Sequence, residues 1–126
     1  MILVVAAIIK KQNKYLIAKR ASHKAHGGRW EFPGGKIEEG ETPEIALERE
    51  LFEELNIKTR IGPYIMSAIH DYKRFKIELM AYEATHLSGE FTLSEHDEIA
   101  WVTAAQMKAY HMSGADLPII DHLIRN

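Results

Sequence analysis

Eight of the chain's 18 acidic residues fall between Glu38 and Glu54 (Glu38, Glu39, Glu41, Glu44, Glu48, Glu50, Glu53 and Glu54), against a single base, Arg49. Such crowding costs folding free energy through like-charge repulsion. Most charge runs are solvated helix faces, but the spacing here is more selective. Glu50, Glu53 and Glu54 stand at i, i+3 and i+4, so on a helix their carboxylates share one face. They also lie toward the helix end whose negative dipole disfavours them, and a purely structural purpose would have placed them elsewhere. Three hard oxygen donors on one face are what Mg²⁺, or Mn²⁺, takes from a protein, with waters and a substrate phosphate completing the octahedron. Arg49 reaches Glu53 at i+4 and can hold the cluster in place.

The helix that positions these groups is legible from its ends. Thr42 is a good N-cap, Pro43 suits the first helical position and Glu44 complements the positive end. Leu47, Leu51 and Leu55 stack at i, i+4 and i+8 with Phe52 beside them, giving a stripe to bury. Asn56 stands where the chain turns left-handed, so the helix runs from about Pro43 to Leu55.

Around it, the β-branched run Ile2–Ile9 reads as a strand covered on both faces, and Lys10–Asn13 turns it into a second strand, Lys14–Arg20. Ala21–Gly35 reads as a glycine- and proline-rich loop holding Trp30 and Phe32, a shaped site more than a slack linker. Ile57–His70 and Phe75–His86 form a strand pair across Asp71–Arg74, and Ser88-Gly89-Glu90 breaks the second. Ile99–Val102 is a short strand, Thr103 caps a helix to about Tyr110, and a last helix starts at Pro118. This order of elements gives an α/β fold with a mixed sheet between helices, one domain over residues 1–126.

Composition narrows the chemistry. Sixteen Lys and Arg against 18 Asp and Glu, a net charge of -2, exclude a strongly basic nucleic-acid binder, so no stable nucleic-acid complex is expected. With no cysteine, thiolate nucleophiles and Cys-bound zinc are excluded. The apolar run Ile2–Ile9 is far short of the roughly 20 residues that span a bilayer, and it lacks a signal peptide's basic flank and cleavage site, so a cytoplasmic protein without membrane attachment is expected. Gly35-Lys36 is not a P-loop, because Trp30 stands where its first glycine would be and Ile37 where Ser or Thr would be. His23, His26 and His96 lack the i, i+4 pairing of ligands and read as solvent-facing or hydrogen-bonding residues, although His96 beside Glu95 is a candidate to line the site. Trp30 and Trp101 read as core or pocket wall.

Gly35, five residues, Glu41, seven residues, then Arg49-Glu50-Leu51-Phe52-Glu53-Glu54-Leu55-Asn56-Ile57 resembles the signature box of the Nudix hydrolases, with Asn56 in place of its glycine. The likeness extends to Lys19-Arg20-Ala21 and Trp30-Glu31-Phe32-Pro33-Gly34-Gly35-Lys36, which resemble the MutT-type branch. This resemblance implies an α/β/α sandwich that cleaves a nucleoside triphosphate, or another nucleoside diphosphate-linked compound, with Mg²⁺ (Mn²⁺ being an alternative); a triphosphate would give the monophosphate and pyrophosphate. It implies Glu50, Glu53, Glu54 and the carbonyl of Gly34 as metal ligands, Arg20 and Lys36 on phosphates, and Glu41 and Arg49 orienting the ligand helix. A late carboxylate completes the set, Glu98 in preference to Glu95, and Glu53 or Glu98 serves as general base.

By the same likeness the base pocket takes Tyr72, Phe75 and Asp116. Aromatic faces would stack the base, and an ionised Asp116 would accept from an N–H-rich edge. The segment Ala115–Pro118 resembles the cytidine-nucleotide branch, so CTP or a modified dCTP is expected ahead of 8-oxo-dGTP; the competing reading has Asp116 simply capping the last helix. A monomer or homodimer is expected. The alternative class is a Nudix-like sensor that binds nucleotide or ADP-ribose without cleaving it, but such domains lose box carboxylates and this chain keeps them all.

Overall fold

The computed structural model describes residues 1–126. Strand β1 (Ile2–Lys11) is the hinge of the architecture. It pairs in parallel with β6 (Phe75–Ser88), from Ile2 opposite Ile77 to Ile9 opposite Ala84, and antiparallel with the short β4 (Gly34–Lys36). β6 pairs antiparallel with β5 (Lys58–Tyr72) through the two-residue turn Lys73-Arg74. At its far end β1 turns into β2 (Lys14–Arg20), which carries β3 (Trp30–Glu31) and β7 (His96–Val102). The sheet is therefore mixed, as the hairpins required.

β1 is buried on both faces, and its alternation divides the core. Val5, Ala7 and Ile9 pack with Ala46, Leu47, Leu51 and Leu55 of α1 (Pro43–Leu55). Ala6 and Ile8 pack on the opposite side with Trp30, Phe32, Met107 and Met112, and with Ile119 and Ile120 of α2 (Leu117–Arg125). Helices thus cover both faces and the architecture is an α/β/α sandwich. No helix is long and apolar enough to cross a membrane.

α1 begins and ends as expected: the Ile45 amide donates to Thr42 Oγ1 at 3.2 Å, and Asn56 stands at φ 60° with its N–H on the Phe52 carbonyl. Phe52 departs from expectation, being exposed instead of joining the leucine stripe. Several boundaries also differ, the β5–β6 pair among them, which runs to Tyr72 and Ser88 about the two-residue turn. The segment Ala21–Gly35 contains β3 and the start of β4, strands too short to show a period and held by pairing to β2 and β1. β7 begins at His96 instead of Ile99 because it follows β2 back to Arg20. The segment after Thr103 is a 3-10 helix, Ala105–Ala109, not an α-helix; Thr103 and Gln106 exchange side chain-to-amide hydrogen bonds of 2.8 and 3.2 Å, a capping box closing a single turn.

Candidate active site

Two glycines bring the sheet and α1 together. A Cβ on Gly34 would overlap the Val5 carbonyl, and one on Gly35 would overlap the Glu50 carboxylate. Lacking a Cβ at both, β4 lies flat on β1 while the acidic face of α1 approaches its backbone.

Arg49 organises that face. Its guanidinium is bidentate on Glu41, through Nε at 2.7 Å and Nη2 at 2.9 Å. Nη1 donates to Glu50 Oε1 at 3.0 Å and to Glu53 at 3.3 Å, and Nη2 donates to the Lys36 carbonyl at 3.2 Å. The fork geometry is one only Arg supplies. The Arg49 contact, with the Glu38 amide also donating to it, holds the Glu41 carboxyl below its ordinary range, and Glu41 in turn raises Arg49.

Glu54 lies deeper. Burial, followed by the Glu50 carboxyl beside it, pushes its carboxyl up to about 9, with Glu31 and Glu95 adding to the shift. Glu95 is delivered by the loop after β6, which satisfies carbonyls at the end of α1: Ser94 N donates to Glu54 O at 3.2 Å, Ser94 Oγ to Glu53 O at 3.1 Å, and Thr92 N to Leu55 O at 3.0 Å. Glu95 also pairs with Lys24, which lowers its carboxyl. Glu98 instead stands exposed on β7 opposite Lys19. Of the two late carboxylates, Glu95 is close enough for its charge to act on Glu54, while Glu98 is exposed; spacing from Trp101 does not reveal which side of β7 meets the helix.

The expected metal ligands share a neighbourhood, but no three carboxyl or imidazole groups converge closely enough to form a metal cage. Arg49 engages Glu50 and Glu53 there. The donor set still fits a hard divalent cation: it is all oxygen, and Glu54 beside Glu50 is a carboxyl pair that a cation would relieve. Glu50, Glu53 and Glu54, with the Gly34 carbonyl and a late carboxylate, would be the groups to hold one.

Beside this face opens a cavity of about 270 Å³. Arg20, Gly34 and Lys36 line it together with Tyr72, Phe75 and Asp116, so the residues expected to take phosphates and base meet in one space. Tyr72 and Phe75 flank the β5–β6 turn with ring centroids 5.1 Å apart. Asp116 is buried, at 4% exposure. It does not cap α2, which receives no side-chain hydrogen bond at its start; its Oδ2 accepts from the Phe32 amide at 3.2 Å. Burial, with the Glu31 charge adding and the Phe32 N–H opposing, pushes Asp116 well above the usual 3.8. The shift runs against the expectation of an ionised, accept-only Asp116.

That shift has a sign. Folded Asp116 keeps its proton to higher pH than unfolded Asp116, so its contribution to stability declines as pH rises above about 4 toward the folded pKa. Asp116→Asn keeps an acceptor for Phe32 and removes the titration. Urea unfolding from about pH 4.5 to about pH 7.5 should show the parent losing ground to the Asn variant, and parallel profiles would refute the upward shift.

Glu31, His26, Arg29 and Ser113 also line the cavity and were not singled out from the sequence as site residues. Glu31 had a usable signal, a lone charge between the buried-type aromatics Trp30 and Phe32. His26 adopts φ 59°, an uncommon conformation for a non-glycine residue. His23 remains exposed and Trp30 is core.

An acidic helix held by an internal arginine lies against a cavity with basic and aromatic walls, an arrangement suited to an anionic ligand. Residues 4–122 match the family model described as NUDIX domain. The chain is 36% identical over 121 residues to the CTP pyrophosphohydrolase of Escherichia coli (strain K12), covering 96% of this chain and 90% of that one. It is 41% identical over 85 residues to the 8-oxo-dGTP diphosphatase of Proteus vulgaris, covering 68% and 76%. The solution structure of the E. coli ORF135 protein superposes with a TM-score of 0.88 at 35% identity, covering 99% of this chain and 89% of that one. The protein belongs to the Nudix hydrolases, in their MutT-like branch.

Proposed function

We propose that residues 1–126 act as a single hydrolase domain that splits a nucleoside triphosphate into the monophosphate and pyrophosphate, with cytidine nucleotides favoured over 8-oxo-dGTP. The observation that carries this reading is the cavity itself, where Tyr72, Phe75 and Asp116 face the same space as Arg20 and Lys36, alongside α1. Tyr72 and Phe75 would hold the base by stacking, and Arg20 and Lys36 would neutralise the phosphates. Water adds across the anhydride, so one P–O bond forms and one breaks. A divalent cation, Mg²⁺ by the chemistry of its all-oxygen donors, would neutralise the polyphosphate when bound. Glu53, exposed at the rim of α1, would take the proton from water, with Glu95 the second candidate.

Two carboxyls in the base pocket support the cytidine preference. The Asp116 and Glu31 oxygens can accept from an amino group, and cytosine presents an amino donor; Asp116→Asn would put an N–H donor in place of one of those acceptors. The identity to the E. coli CTP pyrophosphohydrolase supports the same base; the Proteus vulgaris relative supports the competing one.

Pyrophosphate release from CTP, dCTP, 5-methyl-dCTP, GTP and 8-oxo-dGTP, with Mg²⁺ and with chelator, tests the reading. Magnesium-dependent release with a cytidine nucleotide foremost is expected, and Asp116→Asn should move the ratio toward 8-oxo-dGTP by about tenfold, the scale of one re-paired polar group. Unchanged ratios would remove Asp116 from base recognition. Binding without cleavage by any compound would replace the enzyme with a nucleotide sensor.

A further inference from the structure

Outside the box and the expected pocket residues, the structure contains one buried polar pair with no evident structural purpose. His96, at the start of β7, has a side chain 1% exposed and places Nε2 2.9 Å from Glu31 Oε2. Its other nitrogen, Nδ1, is buried with no partner. An apolar side chain would fill this space without that orphan, so packing alone does not account for an imidazole here. The contact with Glu31 does. The proton belongs on Nε2, where Glu31 accepts it; on Nδ1 it would meet no acceptor.

Glu31 is the more exposed partner, 19% at its side chain, and it lines the cavity. Arg20 Nη1 approaches the same Oε2 at 3.7 Å, while Arg20 Nε is committed to the Ala25 carbonyl at 3.0 Å. Both neighbours therefore engage one oxygen and leave Oε1 without a protein partner. Glu31 also lies between the two parts of the site, close enough for its charge to act on Asp116 at one end and Glu54 at the other.

We propose that His96 is a positioning residue for base selection: through Nε2 it fixes the Glu31 carboxylate so that Oε1 is presented to the nucleobase as a single oriented acceptor. This rests on the nucleotide reading of the cavity. His96 itself touches no substrate. An unfixed Glu31 could turn either oxygen toward Arg20 or the base, and an acceptor that moves discriminates poorly between one base edge and another.

Calorimetric titration of the non-hydrolysable α,β-methylene analogues of CTP and GTP tests this without requiring turnover. His96→Leu should weaken the better-bound analogue by about 10- to 100-fold, the scale of a hydrogen bond to a charged group, and bring the ratio between the two toward one. His96→Gln, which retains a donor, should recover most of that ratio. In a Glu31→Ala background His96→Leu should change neither affinity, because nothing remains to be positioned. Equal weakening of both analogues, a Leu effect that persists fully in the Glu31→Ala background, or no effect at all would overturn the proposal. If the Leu variant does not fold, His96→Gln against His96→Asn in both backgrounds reads the same coupling. A parent that binds the analogues yet cleaves no triphosphate sinks the hydrolytic reading alone; a parent that binds neither analogue overturns both.

Discussion

Glu53→Gln should lower turnover by about three orders of magnitude while leaving the fold in place. The expected size is that of losing a positioned acid–base group together with one charge at a cation site, roughly 10²–10⁴ in rate. The fold survives because Glu53 is 55% exposed at its side chain and meets Arg49 only at 3.3 to 3.4 Å, a surface ion pair of small net worth. Steady-state pyrophosphate release beside a urea unfolding curve separates the two effects. Turnover within a few-fold of the parent would remove Glu53 from both of its proposed roles.

Arg49→Met should do the reverse, damaging stability as well as rate. Four acidic side chains and the Lys36 carbonyl gather on this guanidinium, and its bidentate pair with Glu41 is short. Without it, Glu41, Glu50 and Glu53 face one another uncompensated, and their remaining route to neutrality is protonation. The melting temperature should fall by about 10 °C near neutral pH, as for a partly buried charge network broken on one side. Because protonation relieves the leftover carboxylates, the deficit should shrink as pH falls toward 5. Arg49→Lys, retaining charge but not the fork, should lie between. A melting curve unchanged across this pH range would show that Arg49 is not what holds the acidic face together.

What the chain disclosed in advance follows contact distance. α1 was readable because its cap, its leucine stripe and its left-handed Asn56 are all local, and the box carboxylates ride on it at fixed spacing. β1 was readable as doubly buried because its apolar run has no alternation. β3 and β4 were not, since two or three residues carry no period and exist only by pairing. The Glu31–His96 contact joins residues 65 apart in sequence, and no spacing rule connects them. The choice between Glu95 and Glu98 depended on Ser94 and Thr92 finding the carbonyls at the end of α1, a tertiary event. The burial of Asp116, which raises its carboxyl, is likewise a tertiary fact that its neighbours in sequence do not carry.

The placement of β1 also bears on how the chain reaches this fold. β1 lies between β4 and β6, and its longest ladder is with β6, pairing Ile2–Ile9 with Ile77–Ala84 across a parallel crossover that includes α1 and β5. Both halves of the core therefore wait on a closure of roughly 75 residues, and such non-local parallel pairing is slow to nucleate. During synthesis this apolar strand emerges well before β6 and stays unpaired on one edge until β6 follows, several seconds later at ordinary elongation rates of about 5–20 residues per second. A segment buried on both faces in the finished fold is thus open to wrong partners on the way there, and Lys10, Lys11 and Lys14 beside it are the kind of charged flank that keeps such a strand apart from others.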